Sequence, residues 1–373
     1  MMLKYFVSIF YSLLLSTPVS ANTWFSKGKS FSIKNSQNIY YKKPMRWFTS
    51  HGTWGKDGGQ GVDIITGKIV DIPWYRNYPN YPGNSSLTEW SELKMVHFNG
   101  GTKKGWFFGK AKVNSTTYYL LEMDFNLKKI VHFIPIRGNS LVSVGMDPQE
   151  NFFLAATRTS PGNNAGRSIV EKILQIDIKN KKVISSINVT VKTRPGQTTS
   201  NLVYLPSSDM KFIYIREHDE YNRSTGKGFL KSPETQGFLV DVNSKSYFTI
   251  KTPVEVWTAS FTPDNRFLFI SSYQKGTLSR LNLKSKSIDK TIKTPDRNML
   301  ISATSKQSLY VLHLNGLKVY DLNFKLLKYF TKKQILGSDI WAGPYETDSS
   351  GSKMIFGLVR NGKKIYQILN LLR

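Results

Sequence analysis

The stretch SFTPDNRFLFISSYQKGTLSRLNLKSKSIDKTI, residues 260–292, decides the fold of this chain. It contains a Pro-Asp-Asn turn, the apolar run FLFISS, a gap with Gly276, a second apolar run ending at Asn282, a Lys/Ser turn and a short third run. Runs rich in Phe, Ile and Leu that are bounded by Gly, Pro, Asn and Asp are typical of β-strands. The stretch therefore predicts consecutive short strands joined by tight turns.

The second run and its turn recur along the whole chain. A polar turn followed by an apolar run, as in MDPQENFFLAAT and TDSSGSKMIFGLV, precedes each copy. Periods of about 40–60 residues with four short strands each are typical of β-propeller blades. The copies are spaced 61, 53, 64, 41, 39 and 49 residues apart and centre on Asp63, Asp124, Asp177, Asp241, Asn282, Asp321 and Asn370.

The two ends of the chain complement each other. The last copy stops at residues 370–373, where its fourth strand should begin, whereas SFSIK at residues 30–34 is a strand without a repeat of its own. If one terminus completes the blade begun by the other, no sheet edge stays exposed. We therefore predict an all-β chain with a single domain over residues 22–373, a seven-bladed β-propeller of four-stranded antiparallel blades closed by the N-terminal strand. Six or eight blades, or two unrelated β-domains, are the alternatives.

The first 21 residues are expected to be removed from the mature protein. MMLKYFVSIFYSLLLSTPVSA combines the lone Lys4, an apolar stretch over residues 5–15, Pro18 and small residues up to Ala21, as in a secretory signal peptide. An uncleaved anchor or a buried helix is the alternative. Since no later segment approaches the roughly 20 continuous apolar residues of a membrane span, we expect a secreted or periplasmic protein that does not span the membrane.

Composition narrows the chemistry of the chain. The absence of cysteine excludes disulfides, thiolate metal sites and c-type haem attachment. The five histidines lack metal-ligand spacing, and the sequence has no phosphate-binding loop or dinucleotide fingerprint, so we predict no metal site and no cofactor. A net charge of +27 favours anionic partners, and export argues against nucleic acid.

A propeller of four-stranded blades has two faces with different sequences. The turns between strands one and two and between strands three and four lie on one face, here named the bottom face, and the remaining loops lie on the top face. Lysine is frequent in the bottom turns, which favours contact with an anionic membrane, cell-wall polymer or polysaccharide. Solubility is the alternative reason for lysine at exposed turns. The predicted anionic-surface residues are Lys128, Lys129, Lys181, Lys182, Lys284 and Lys286.

One long loop of the top face is rich in aromatic residues. Residues 72–90 include Trp74, Tyr75, Arg76 and Tyr78. Aromatic planes can stack on sugars, bases or cations, and Arg adds hydrogen bonds. The loop is therefore a candidate ligand platform, and the alternative is that its rings fold back and plug the propeller.

A second top-face candidate lies at the mouth of the central channel. The segments EVWTASFTPD and DIWAGPYETD share an acid, a Trp, two small residues and an aromatic residue at the same spacing. This places Glu255 with Trp257, and Asp339 with Trp341, at equivalent positions, and Arg297 occupies about the same place in the blade between them. Such a mouth suits a cationic, zwitterionic or sugar ligand. Packing between blades is the alternative reason for the pattern.

Residues 254–295 resemble the YVTN-type repeat of secreted and periplasmic propellers. The matching segments are FTPDNRFLFIS, GTLSRLNL and KSKSIDKTI, in that order. The resemblance implies a seven-bladed propeller whose relatives include binding proteins, cofactor-linked dehydrogenase subunits and lactonases. Because these relatives differ in activity, the resemblance supports the fold more than any function.

Two functions follow from this sequence. The first is an exported binding or scaffold protein that engages a protein partner or small ligand through its top loops and an anionic surface through its basic bottom face. The alternative is a propeller enzyme, either a lactonase-like hydrolase or a cofactor-linked oxidoreductase, with its site at the channel mouth.

Overall fold

A computed structural model provides the structure of this protein. It describes residues 25–32, 38–40, 46–51, 59–72, 92–110, 117–138, 140–158, 168–192, 201–218, 235–252, 256, 258–272, 276–294, 299–303, 307–313, 315–336, 340–348 and 350–371. These residues form four-stranded antiparallel sheets and one short helix, α1 (Lys332–Leu336). The all-β prediction is confirmed, and the sheets have the arrangement of a β-propeller.

The strands follow one another in chain order within each sheet, except in the sheet that joins the two chain ends. Sheet 1 contains β2 (Asn38–Tyr40), β3 (Trp47–His51), β4 (Gly59–Asp63) and β5 (Ile69–Ile72). Sheet 2 contains β6 (Glu92–Asn99), β7 (Lys104–Lys110), β8 (Thr117–Asp124) and β9 (Lys129–Arg137). Sheet 3 contains β10 (Leu141–Met146), β11 (Phe152–Arg158), β12 (Ser168–Asp177) and β13 (Lys182–Lys192).

The second half of the chain repeats this order. Sheet 4 contains β14 (Asn201–Pro206), β15 (Phe212–His218), β16 (Thr235–Asp241) and β17 (Ser246–Thr252). Sheet 5 contains β18 (Thr258–Phe261), β19 (Phe267–Ser272), β20 (Thr277–Asn282) and β21 (Ser287–Lys293). Sheet 6 contains β22 (Met299–Ala303), β23 (Ser308–His313), β24 (Gly316–Asp321) and β25 (Leu326–Thr331). Sheet 7 contains β26 (Ile340–Thr347), β27 (Lys353–Arg360), β28 (Lys363–Leu371) and β1 (Phe25–Phe31).

The N-terminal strand closes sheet 7, as predicted. Phe31 pairs with Tyr366 across β1 and β28, and the two rings stack at a centroid distance of 5.8 Å. The amide of Gln367 donates to the Gly28 carbonyl at 2.7 Å. The strand spans Phe25–Phe31, earlier than the predicted 30–34, because the polar segment SKGKS also pairs with β28.

The turn after the third strand is built in the same way in successive sheets. In sheet 2, Asp124 Oδ1 accepts the N–H groups of Asn126 at 2.9 Å and Leu127 at 3.0 Å, and Lys128 adopts a φ of 52°. The oxygen of this short polar side chain accepts the backbone N–H groups that the turn leaves without a backbone acceptor. The same use of Asp or Asn recurs at Asp63, Asp177, Asp241, Asn282 and Asp321. The recurrent residue found in the sequence is therefore a turn former.

Apolar clusters fill the space between neighbouring sheets rather than the interior of any one sheet. Sheets 3 and 4 share one such cluster, with Val144 and Val189 on one side and Ile213 and Phe238 on the other. Similar clusters join sheets 1 and 2, 2 and 3, 4 and 5, 5 and 6, and 6 and 7. A further cluster joins sheet 7 back to sheet 1, so the described sheets form a closed succession.

Within the described part of the chain, no helix has the length and apolar character needed to cross a membrane. The helix α1 has five residues and follows β25 directly. Its Ile335 is buried in the cluster between sheets 6 and 7.

Candidate functional site on the bottom face

The predicted top-face residues lie almost entirely outside the described residues. Trp341 belongs to β26 and pairs with Leu358 in β27, which places its backbone in the first strand of sheet 7. The channel-mouth site and the aromatic platform stay predictions, and so does the enzyme that would use them. The residues outside the described ranges are Trp74, Tyr75, Arg76, Tyr78, Glu255, Trp257, Arg297 and Asp339.

The predicted lysines lie where the sequence places them, in the turns between third and fourth strands. Lys128, Lys181 and Lys286 adopt φ values of 52°, 55° and 56° at the tips of these turns. Lys129 and Lys182 are the first residues of β9 and β13, and Lys284 lies in the turn before β21. All are exposed except Lys286, which is half-buried. Its ammonium lies 3.4 Å from the centroid of the Phe248 ring in sheet 4.

The two kinds of turn lie side by side within a sheet. In sheet 2, the N–H of Phe125, just after the third strand, donates to the carbonyl of Lys103, just before the second strand, at 3.0 Å. The same bond joins Val242 to Lys211 at 2.8 Å in sheet 4. Both turns of each of these sheets therefore end on the same side.

Turns of neighbouring sheets also contact each other, which brings them onto one face. These contacts are Lys353 Nζ to the Ile65 carbonyl, His97 Nε2 to Glu150 Oε1 at 2.9 Å, and Arg280 Nη1 to Asn323 Oδ1 at 2.7 Å. They link sheet 7 to sheet 1, sheet 2 to sheet 3, and sheet 5 to sheet 6. These contacts place the turns of each of these three pairs of neighbouring sheets side by side on the bottom face.

A cavity of about 470 Å³ interrupts this face between sheets 1, 2 and 3. Sheet 1 lines it with Arg46 and Asp63, sheet 2 with His97 and Asn99, and sheet 3 with Glu150. Apolar side chains complete the wall, namely Trp47, Ile65, Met146 and Pro148. The cavity therefore combines cations, carboxylates and apolar surface from three sheets.

Arg46 and Asp63 form a two-point ion pair on one wall of the cavity. Arg46 Nε lies 3.0 Å from Asp63 Oδ1, and Nη2 lies 2.6 Å from Oδ2. Burial raises the pKa of Asp63, but hydrogen bonds from Arg46, the Ile65 N–H and Thr66 outweigh it, so the pKa lies below its ordinary value. The Asp63 side chain is 3% exposed and that of Arg46 is 55% exposed. The guanidinium therefore faces solvent while its partner anchors it.

His97, Asn99 and Glu150 form the opposite wall. Glu150 Oε1 accepts from Asn99 Nδ2 at 2.7 Å and lies 2.9 Å from His97 Nε2. Burial raises the pKa of Glu150, yet the hydrogen bonds from His97 and Asn99 and the positive charge of His97 and Lys104 lower it below its ordinary value. His97 is 8% exposed, and its Nδ1 is buried without a hydrogen-bond partner among the described residues.

This arrangement suits the binding of small charged groups. The described residues contain no group of three or more His, Asp or Glu side chains placed to hold a metal. Arg46 and Lys68 bring positive charge to one side of the cavity and Glu150 brings negative charge to the other. Such a cavity can bind an anionic group at Arg46. The negative charge of the Glu150 carboxylate on the opposite wall limits how deeply that group can enter.

Sequence reasoning missed this cavity because its residues come from three different sheets. Arg46, His97 and Glu150 are separated by about 50 residues each and share no motif. The available signal was weak: Glu150 occupies the tip of the turn in MDPQENFFLAAT with a φ of 60°, and His97 lies between the apolar residues Val96 and Phe98 of its strand.

Comparison with known proteins supports the fold alone. No protein-family model matches the sequence, and no curated protein matches it. A structure described as one of two prolyl endopeptidases is 11% identical with a TM-score of 0.54, and the match covers 92% of this chain and 50% of that chain. The Dos1 propeller is 9% identical with a TM-score of 0.49, and the match covers 91% of this chain and 82% of that chain.

A third similar structure is apo AztD from Citrobacter koseri. It is 13% identical with a TM-score of 0.46, and the match covers 79% of this chain and 70% of that chain. One of these similar structures is described as a propeller. At such low identity they say nothing of function, and membership of the YVTN-type family stays a prediction.

Proposed function

We propose that this chain is an exported seven-bladed β-propeller that acts as a binding or scaffold module and attaches to an anionic surface through its bottom face. The blade number is supported by the seven four-stranded sheets of the described residues and by the apolar clusters that join each sheet to the next. The top face carries the loops proposed to engage a ligand or partner protein.

One observation carries the proposal for the bottom face: lysine recurs at the left-handed tip of the same turn. Lys128, Lys181, Lys245 and Lys286 all occupy this position, with φ values between 52° and 56°. Gly and Asn are the residues that favour such a conformation, so the turn itself does not call for lysine. The recurrence of lysine at this position supports a role for its charge.

The acids of these turns accept hydrogen bonds from the turns themselves. The carboxylates of Asp124 and Asp241 accept backbone N–H groups of their own turns. Among the described residues, no carboxylate forms a salt bridge with Lys128, Lys181 or Lys182. Each such lysine contributes on the order of 1 kcal/mol near an anionic surface at low salt. Several of them together give salt-sensitive attachment.

The test compares two sets of three charge reversals on a dextran sulfate resin. In the first variant Lys128, Lys181 and Lys182 become Glu. In the matched control the exposed Lys251, Lys293 and Lys363, which lie at the opposite ends of their strands, become Glu. Both variants carry the same number of charge reversals of the same sign, so they differ only in the position of the changes.

We expect the mature chain to bind the resin at low salt and to elute as salt is raised. The bottom-face variant should bind at least about a hundredfold more weakly, since three lysines are lost and reversed. The control should lose much less. Equal losses in the two variants would show that net charge alone governs binding and would overturn the proposal.

A further inference from the structure

Large aliphatic side chains are exposed at the same turns that carry the lysines. Ten large apolar side chains are exposed among the described residues, and seven of them lie in the turns between third and fourth strands or in the first three residues of the fourth strand. Leu127, at a turn tip, is 58% exposed. The others are Ile65, Ile69, Val183, Ile184, Leu326 and Leu327. Exposed apolar surface is therefore concentrated on the bottom face.

In sheets 2 and 3 the aliphatic residues stand directly beside lysines in the sequence. Leu127 directly precedes Lys128 and Lys129, and Val183 with Ile184 directly follows Lys182. Apolar and cationic groups thus occupy the same few turns. A purely electrostatic contact with a hydrated polymer has no use for the aliphatic part of this pattern.

The turns of sheets 4 and 5 show that the fold does not require aliphatic residues here. Ser244 and Ser285 stand at the position that corresponds to Leu127. Both donate a backbone N–H to the turn-forming side chain, Ser244 at 3.1 Å and Ser285 at 3.4 Å, much as Leu127 does. The same turn therefore forms with serine, so the exposed side chain of Leu127 in sheet 2 is not needed to form it.

The aliphatic turns of sheets 1, 2 and 3 are consecutive around the bottom face. These three sheets also share the cavity that contains Arg46. The exposed aliphatic residues and the lysines of this segment form one surface, here named the amphipathic arc, consisting of Ile65, Lys68, Ile69, Leu127, Lys128, Lys129, Lys181, Lys182, Val183 and Ile184.

We infer that the amphipathic arc docks on an anionic lipid bilayer, with the aliphatic side chains entering the boundary between headgroups and acyl chains and the lysines contacting the lipid phosphates and carboxylates. Apolar side chains beside cations are the features that hold peripheral proteins at such an interface. The charge of the arc selects this occupant over a second copy of the chain, because two such lysine-rich surfaces repel each other.

This inference rests on the proposed function and narrows its anionic surface to a bilayer. The test uses the mature chain with vesicles of phosphatidylcholine, with vesicles that also contain phosphatidylserine, and with the dextran sulfate resin. The main variant replaces Leu127 and Ile184 by Ser. The matched control replaces Val142 by Ser, since Val142 is 38% exposed but lies at the start of β10, at the end of that strand away from the turn.

We expect the mature chain to bind phosphatidylserine vesicles and to leave phosphatidylcholine vesicles largely unbound. The Leu127→Ser/Ile184→Ser variant should bind the anionic vesicles at least about tenfold more weakly, because two aliphatic groups no longer leave water. Its elution from dextran sulfate should be unchanged, because its charge is unchanged. The Val142→Ser control should bind both as the mature chain does, and thermal unfolding should show that both variants are folded.

A second readout uses the absence of cysteine in the natural sequence. A single environment-sensitive fluorophore on Leu127→Cys should shift to shorter wavelength when anionic vesicles are added, and the same fluorophore on Val142→Cys should not. This separates entry into the bilayer from attraction to its surface.

The outcomes distinguish the inference from the function on which it rests. If the chain binds dextran sulfate but not phosphatidylserine vesicles, or if Leu127→Ser/Ile184→Ser binds the vesicles as before without a fluorophore shift, the bilayer inference is wrong and the anionic-surface function stands. If the chain binds neither anionic material, both fail.

Discussion

Sheets 1 and 5 place the same turn in two different surroundings. In sheet 5, Asn282 is half-buried and accepts two backbone N–H groups of its own turn, at 3.0 and 3.4 Å. In sheet 1, Asp63 occupies the equivalent position, makes the same type of turn bond to Ile65, and in addition holds Arg46 beside a cavity that reaches sheets 2 and 3. The comparison teaches that the repeat supplies the turn, whereas contacts between sheets supply the site.

The largest expected effect concerns the closing strand, which has an ordinary counterpart in sheet 5. Phe31→Ala removes a buried ring that stacks on Tyr366 and packs against sheet 1, and it should lower the free energy of unfolding by about 3–5 kcal/mol. Ile292→Ala, in the outer strand β21, removes a half-buried side chain and should cost about 1–2 kcal/mol. Urea unfolding of both variants measures the difference. Similar losses would mean that closure of the ring adds no stability beyond that of any outer strand.

The next effect separates the two turns directly. Asp63→Ala should cost about 2–3 kcal/mol, since it removes turn bonds and the partner of Arg46 from a buried position. Asn282→Ala should cost about 0.5–1 kcal/mol, since only exposed turn bonds are lost. Equal values in urea unfolding would show that the Arg46 pair contributes nothing to stability.

A smaller effect concerns the response to acid. The pKa values of Asp63 and Glu150 are lowered in the folded protein. Each carboxylate therefore stabilises the fold at pH values above its ordinary pKa, which is 3.8 for Asp63 and 4.5 for Glu150. That contribution is lost as pH falls through the lower folded pKa values. The Asp63→Asn/Glu150→Gln variant should therefore lose less stability than the unmodified chain between about pH 5 and about pH 2, where carboxyl groups titrate. Thermal unfolding against pH measures this, and parallel curves would contradict it.

The smallest effect concerns the lysines at the turn tips. Lys286→Gly removes an ammonium that lies over Phe248 and should cost about 0.5–1 kcal/mol. Lys128→Gly relieves a left-handed lysine that contacts no aromatic ring among the described residues, and it should change stability by no more than about 0.5 kcal/mol. A greater loss for Lys128→Gly than for Lys286→Gly in urea unfolding would reverse this ranking.

Local chemistry explains why much of the fold is readable from the sequence. The spacing of Asp124 and Lys128, or of Asn282 and Lys286, is set by one turn and its own hydrogen bonds, so it repeats visibly along the chain. The closing strand was predicted from the missing fourth strand of the last repeat, although its bounds were displaced because SKGKS lacks the alternation of a strand buried on one face.

The cavity escaped prediction for the opposite reason. The bond from His97 to Glu150 joins strand β6 of sheet 2 to a turn of sheet 3, and nothing in either segment marks it. The exposed Leu127 and Ile184 were also missed, because an apolar residue in or beside a strand is expected to be buried and the sequence alone does not show its exposure. Properties that arise between repeats are those that a repeat pattern does not contain.

The pairing of β1 with β28 imposes an order on biosynthesis. β1 finds its partner β28 only after the residues between them have been synthesised, since Ser30 binds Gln367 across a separation of 337 positions. The ribosome synthesises β1 before β28, so β1 lacks its neighbour while the strands between them are made. Sheet 7 can therefore be completed only after β28 has been synthesised.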